Sequence, residues 1–159
     1  MKASDSSQCR RARNAGEPPT SRVRLRFLIE REGGLLYTTD WALMNVVQKA
    51  FPNTIAAGGG TEDGVVPVTV DKNDDNLMSK MLLRKEGHPQ WWLEGGSYPI
   101  KVLDPKRVNV LASSAQMGKR YGSSPVVVRF RWEDGEVIHV VSHFYRQVAT
   151  SGPAWPRRA

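Results

Sequence analysis

Asp40 and His143 are the residues of this chain whose types and settings best suit joint chemistry. Asp40 stands in Gly33-Gly34-Leu35-Leu36-Tyr37-Thr38-Thr39-Asp40-Trp41-Ala42-Leu43-Met44, which reads as strand, tight turn and helix. A carboxylate at such a junction can serve as nucleophile, as base or as acceptor for a polar ligand. The same residue type in the same place is also a helix N-cap, accepting backbone N–H bonds from the helix that opens at Trp41. His143 ends the segment Gly135-Glu136-Val137-Ile138-His139-Val140-Val141-Ser142-His143, an apolar strand that closes on an imidazole. In open α/β sheets ligands bind beyond the carboxyl ends of strands. A His143 at that edge, facing Asp40, makes a coherent pocket.

Further candidates flank this pair. Thr39 adjoins Asp40 on the turn. The stretch from His88 to Tyr98 reads as a loop, and it offers Trp91, Trp92, Glu94 and Ser97 as ligand contacts in a lid or aromatic recognition surface. Tryptophans are enriched in binding hot spots, but they also fill cores, and two in succession can point one inward and one outward. His139 and His143 are four apart; on a straight strand they share a face yet stand roughly 13 Å from each other. That is too far for one ion, with only His88 left to help, so neither a metal site nor a cofactor is expected. Gly58-Gly59-Gly60 lacks the Lys-Ser/Thr of a phosphate loop. Ser142, with no elbow around it, is no triad serine.

The elements that must position these groups follow from the pattern. Val23 to Glu30 reads as the last turns of a helix or as a short strand, Leu35 to Thr38 as a strand. Apolar residues at Trp41, Leu43, Met44, Val46, Val47, Ala50 and Phe51 have helical spacing, which Pro52 ends. Val65 to Val70 is extended, and Pro67 demotes it to an edge strand or to none. Leu77 to Leu83 suggests a second helix. Val108 to Ser113 is a strand, and Ala115 to Tyr121 a short helix. Val126–Trp132 and Glu136–Ser142 form a pair joined by Glu133-Asp134-Gly135, a good hairpin signal. His143 to Ala149 reads as a closing helix. Strands alternating with helices argue for an α/β domain.

Composition sets the outer bounds. The 159 residues, 40% of them hydrophobic and five of them tryptophan, suit one domain with a real core. The net charge of +7 is concentrated at the ends. Residues 1–22 hold Lys2, Arg10, Arg11, Arg13 and Arg22 against Asp5 and Glu17, and the tail adds Arg157 and Arg158. A nucleic-acid-binding domain gathers its charge on a folded face or helix, so nucleic acid is not the expected partner. The leader 1–22 and the tail 151–159 are too poor in large apolar residues to offset the entropy of ordering and read as disordered. The ordered domain is therefore 23–150. Cys9 is the only cysteine, so no internal disulfide forms. No apolar run reaches the roughly 18–20 residues of a membrane helix, and no secretory signal opens the chain. A cytoplasmic protein is the expectation.

The Gly-Gly–strand–turn–helix at 33–51 and the closing Gly-x-Val-x-His-x-x-Ser-His strand resemble the class I glutamine amidotransferase-like superfamily over about residues 23–150. The resemblance implies a flavodoxin-like, Rossmann-like three-layer sheet. It implies a nucleophilic cysteine on the turn, where this chain has Thr38-Thr39-Asp40-Trp41, and a histidine followed two positions later by glutamate, where it has His143 and Tyr145. Two of three triad members are thus missing, and glutaminase activity is not expected. The family's sheet carries several strands before the Gly-Gly turn. Here about ten ordered residues precede Gly33, which implies a sheet incomplete on its N-terminal side, a degenerate member or a piece of a longer protein. The function that follows is a non-catalytic binding or interaction module for a small molecule or a protein, with a homo-oligomer left open. The rival is a hydrolase-type enzyme acting on a small polar substrate through Asp40 and His143.

Overall fold

The computed structural model describes residues 21–71 and 89–143. The expectations for the leader, for a helix over 77–83, for His88, for a helix beyond His143 and for the tail lie outside the described residues.

Helix α1 spans Ser21–Glu32 and turns on Gly33 at φ +63°, the left-handed conformation that glycine adopts without a Cβ penalty. Strand β1 (Leu35–Thr39) follows directly. The helical run after Asp40 is a π-helical stretch, Leu43–Val47, continued by one α-turn, Gln48–Ala50; together they form α2. Leu43, Val47, Ala50 and Phe51 are its buried face, as the spacing predicts, while Trp41 and Met44 remain exposed. Short strands β2 (Ile55–Ala57), β3 (Gly64–Pro67) and β4 (Thr69–Val70) come next. Then come β5 (Gln90–Leu93), β6 (Ile100–Val102), β7 (Val108–Ser113), helix α3 (Ala115–Tyr121), β8 (Pro125–Trp132) and β9 (Gly135–Val140). The Ser114 hydroxyl caps α3 by accepting from the Met117 N–H, and Gly122 at φ +70° closes it.

Five strands form one sheet in the order β1-β9-β8-β7-β4; β2 pairs with β6 and β3 with β5 in separate antiparallel ladders. Only β1 and β9 run parallel, with Leu35 opposite Glu136 and Thr39 opposite Val140. The other three pairings of the sheet are antiparallel. The described residues are therefore α/β in content, with a mixed sheet and few helices among them. The parallel order of a flavodoxin-like sheet is not what these strands follow, and the helices set out no clear three layers. The reason is local: two residues, Glu133 and Asp134, link β8 to β9, and so short a link permits only an antiparallel pair.

Central strand β8 is buried almost throughout (Val126, Val127, Val128, Phe130), consistent with a strand covered on both faces. Phe51 meets Phe130 and Trp132 edge-to-face, with ring centroids 5.7 and 5.4 Å apart, joining α2 to the sheet. Val65 to Val70 divides after Pro67, which is the last residue of β3; β4 then becomes an edge of the main sheet. That division agrees with the demotion that Pro67 imposes. The stretch containing Trp91 and Trp92 is a strand and not a loop, because Val65 and Val66 pair opposite them. No helix among the described residues is long and apolar enough to cross a membrane.

Candidate functional site

Because β1 and β9 run parallel, their carboxyl ends lie at the same edge of the sheet. Asp40 is the first residue beyond β1, and His143 is the third beyond β9. A third group arrives from β5, whose first following residue is Glu94. Ligand atoms of Asp40, Glu94 and His143 all lie within 4.8 Å of one another. The structure thus brings together two residues read as a reactive pair and a third read as a ligand contact on a separate segment.

Asp40 is not the helix cap its position suggests. It has φ +49°, whereas an N-cap residue takes extended backbone, and the helix opens only at Leu43 with Ala42 before it and no side-chain cap bond. The Asp40 N–H extends the parallel ladder by donating to Val140 O at 3.0 Å, and its carbonyl accepts from the Leu43 N–H at 3.0 Å. Those bonds hold the backbone in the left-handed region, which aspartate tolerates better than most residues. The side chain is 7% exposed, and its Oδ1 is buried with no hydrogen-bond partner among the described residues.

His143 is more than half exposed and its Nδ1 is hydrogen-bonded to Glu94 Oε2. That bond raises the His143 pKa above its ordinary value; slight burial opposes the rise, and the Glu94 and Asp40 charges reinforce it. The Glu94 carbonyl accepts from the Thr61 hydroxyl at 2.6 Å, and the Ser97 N–H donates to it at 3.2 Å.

Ser142 supports the arrangement. Its buried hydroxyl accepts from Trp91 Nε1 at 2.8 Å and donates to the Trp92 carbonyl at 2.6 Å, fastening β5 beside the residue that precedes His143. Trp91 is 3% exposed and therefore a core residue, while Trp92 is half-buried. A truncation of Trp91 would thus damage the fold, and only Trp92 is accessible to a ligand or partner. Ser142→Ala removes two buried hydrogen bonds, from Trp91 Nε1 and to the Trp92 carbonyl, and is expected to cost about 1–3 kcal/mol. Urea unfolding checks this; an unchanged midpoint would mean that β5 is not held by this hydroxyl.

The remaining candidates lie apart from the cluster. Thr39 is half-buried in the ladder opposite Val140. Ser97 is buried, and its carbonyl accepts from the Thr61 N–H at 2.8 Å, so it holds the turn after Glu94. His139 is fully buried at the middle of the sheet, with Nδ1 2.9 Å from Thr38 Oγ1. The two histidines share no straight strand, because the chain leaves β9 after Val140 and bends at Val141-Ser142. Elsewhere an open groove of about 620 Å³ is lined by Lys106, Arg107, Arg129 and Arg131 together with Glu133 and Glu136. Arg129 pairs with Glu136 at 3.7 Å, so the groove is of mixed charge and contains none of the candidate residues.

Reasoning from the sequence missed Thr61 and Ser142 as supports, and it missed the meeting of Glu94 with His143. A serine beside the candidate histidine was the one visible signal. No family model, curated protein or solved structure matches the chain.

Proposed function

We propose that this domain is a binding module that takes a small polar ligand at the carboxyl ends of β1, β5 and β9, through Asp40, Glu94 and His143. The observation that carries this is a buried Asp40 whose Oδ1 has no hydrogen-bond partner among the described residues and whose carboxylate lies within 4.8 Å of ligand atoms of Glu94 and His143. A buried acceptor without a partner costs free energy that a ligand donor can recover. Two carboxylates beside one imidazole suit a ligand with a positively charged group, and half-buried Trp92 offers a neighbouring aromatic surface. The class I glutamine amidotransferase-like reading is kept in one respect: the site lies at the edge where that resemblance puts its catalytic residues. Of a flavodoxin-like sheet only the parallel β1–β9 pair supports it.

A second reading, a hydrolase-type enzyme, draws support from Asp40 itself. A positive-φ residue on a strand-to-helix turn is the setting of a nucleophile elbow. His143, oriented by Glu94, would then be the acid–base partner.

Titration of the 159-residue protein with small amines, amino acids and carboxylic acids, followed by backbone amide NMR, separates these readings. Binding is expected to shift resonances around 40, 94 and 143, and Asp40→Asn is expected to abolish those shifts while leaving the fold intact, since asparagine also accepts positive φ. Shifts that persist in Asp40→Asn would remove the module reading. Turnover of small esters by the wild type, lost in Asp40→Asn, would favour the enzyme.

A further inference from the structure

We propose that Asp40, Glu94 and His143 form a site for a divalent transition-metal ion of the zinc type. This inference rests on reading the cluster as a ligand site, and it names the ligand.

The geometry is close to what such an ion needs. Zinc binds histidine nitrogen and carboxylate oxygen at about 2.0–2.2 Å in tetrahedral geometry, which sets donors roughly 3.4 Å apart. The three donors here already lie within 4.8 Å of one another. Rotation about side-chain bonds of Glu94 and exposed His143 closes the remainder; the Asp40 backbone is fixed by its bonds to Val140 and Leu43.

Charge points the same way. Two carboxylates with a neutral imidazole carry −2, which a divalent cation cancels. A bound cation is the largest charge in such a site and governs it. The buried Oδ1 of Asp40 is the independent sign of a missing partner, being the one carboxylate oxygen of the cluster enclosed without a hydrogen-bond donor. A lone-pair acceptor that no donor reaches is what a metal ion would occupy.

The donor set selects among ions. One nitrogen and two carboxylate oxygens suit zinc, and also manganese or ferrous iron. Calcium prefers an all-oxygen shell, and cuprous copper prefers sulfur. Three protein donors leave a fourth position for water, as in catalytic rather than structural zinc sites. The sequence expectation is against a metal, since only His139 and His88 are weighed beside His143 and neither Asp40 nor Glu94 is.

Isothermal titration of the full-length protein with Zn²⁺, paired with Co²⁺ absorption spectroscopy, tests the proposal. One Zn²⁺ per chain is expected, with visible Co²⁺ bands of tetrahedral intensity. Asp40→Asn and Glu94→Gln should each weaken Zn²⁺ binding by at least about tenfold, the lower end of the cost of losing even an outer-shell partner. A Cys9→Ser, His88→Gln double variant, which removes the cysteine and the histidine that lie outside the described residues, should bind as the wild type does. Absence of stoichiometric Zn²⁺ binding, or binding lost in the double variant and kept in Asp40→Asn, overturns the proposal. Arginine as a second probe separates the two readings of the cluster. If arginine shifts the resonances around residue 40 and Zn²⁺ does not bind, the ligand site stands and the metal falls. If neither binds, both fall.

Discussion

Gly135→Ala is expected to destabilise the domain by about 3 kcal/mol or more, at the upper end of what overpacking costs. A Cβ at this position would press on the Ile29 carbonyl oxygen, reach Ile29 Cγ2 at 2.6 Å and lie 2.8 Å from the Gly34 carbonyl oxygen. Two of the three obstacles are backbone atoms, which no rotamer change can move. Ile29 is in the core, so α1 cannot retreat without opening it. The Gly34 carbonyl accepts from the Glu136 N–H at 3.0 Å, so β1 cannot retreat without breaking the start of the parallel ladder. That ladder sets the relation of Asp40 to His143, and a displaced β1 would also separate the cluster. Urea unfolding measures the first effect. Gly59→Ala is the control: its Cβ meets nothing within 4 Å and its φ is not in the left-handed region, so a change within about 0.5 kcal/mol is expected. Equal midpoints for Gly135→Ala and the wild type would mean that Ile29 of α1 does not lie against Gly135 so closely.

The same glycine shows how far the sequence could be read. Asp134-Gly135 signals a hairpin, and the hairpin is there, but the turn itself is Glu133-Asp134, with Glu133 at φ +51°. Gly135 is the first residue of β9, required by the close approach of α1, a contact that short-range turn rules do not contain. Elements with a strong local period or punctuation were legible: β1, β7, β8, β9, the buried face of α2, and α3 over Ala115–Tyr121. What was not legible depended on pairing across the chain. Gln90–Leu93 is bracketed by Pro89 and Gly95-Gly96 and reads as a loop; its partner β3, more than twenty residues earlier, makes it a strand. Asp40 fits the cap pattern, yet its side chain is turned to other use because Val140 takes its backbone N–H and fixes φ. The pair Asp40 and His143 could be proposed from strand ends alone. Glu94 could be singled out but not attached to them, because no spacing rule relates positions 40, 94 and 143.

The two described histidines, four residues apart, are expected to respond to acid in opposite ways, and His139 carries the larger consequence. Burial disfavours its charged form and lowers its pKa from 6.5 to about 3. Its Nε2 is enclosed with no partner among the described residues, so no acceptor compensates the added charge. Between those two pH values the unfolded chain binds a proton at this position and the folded domain does not. Stability therefore falls as pH drops below about 6.5, by about 1.4 kcal/mol per pH unit, and the loss ends near the folded-state pKa. At pH 5 the contribution is about 2 kcal/mol relative to pH 7. His143 has its pKa raised, so its charged form is favoured in the fold; that contribution is present at low pH and fades as pH rises through the folded-state value. Its exposure keeps the effect small. Urea unfolding between pH 5 and 7 should show a shallower pH dependence for His139→Gln than for the wild type. Imidazole C–H resonances give the direct check: those of His143 should titrate above pH 6.5, and those of His139 should remain unmoved across pH 5–8. A His139 that titrates near 6.5 would place water beside its ring, and the closed centre of the sheet between β1 and β8 would have to be abandoned.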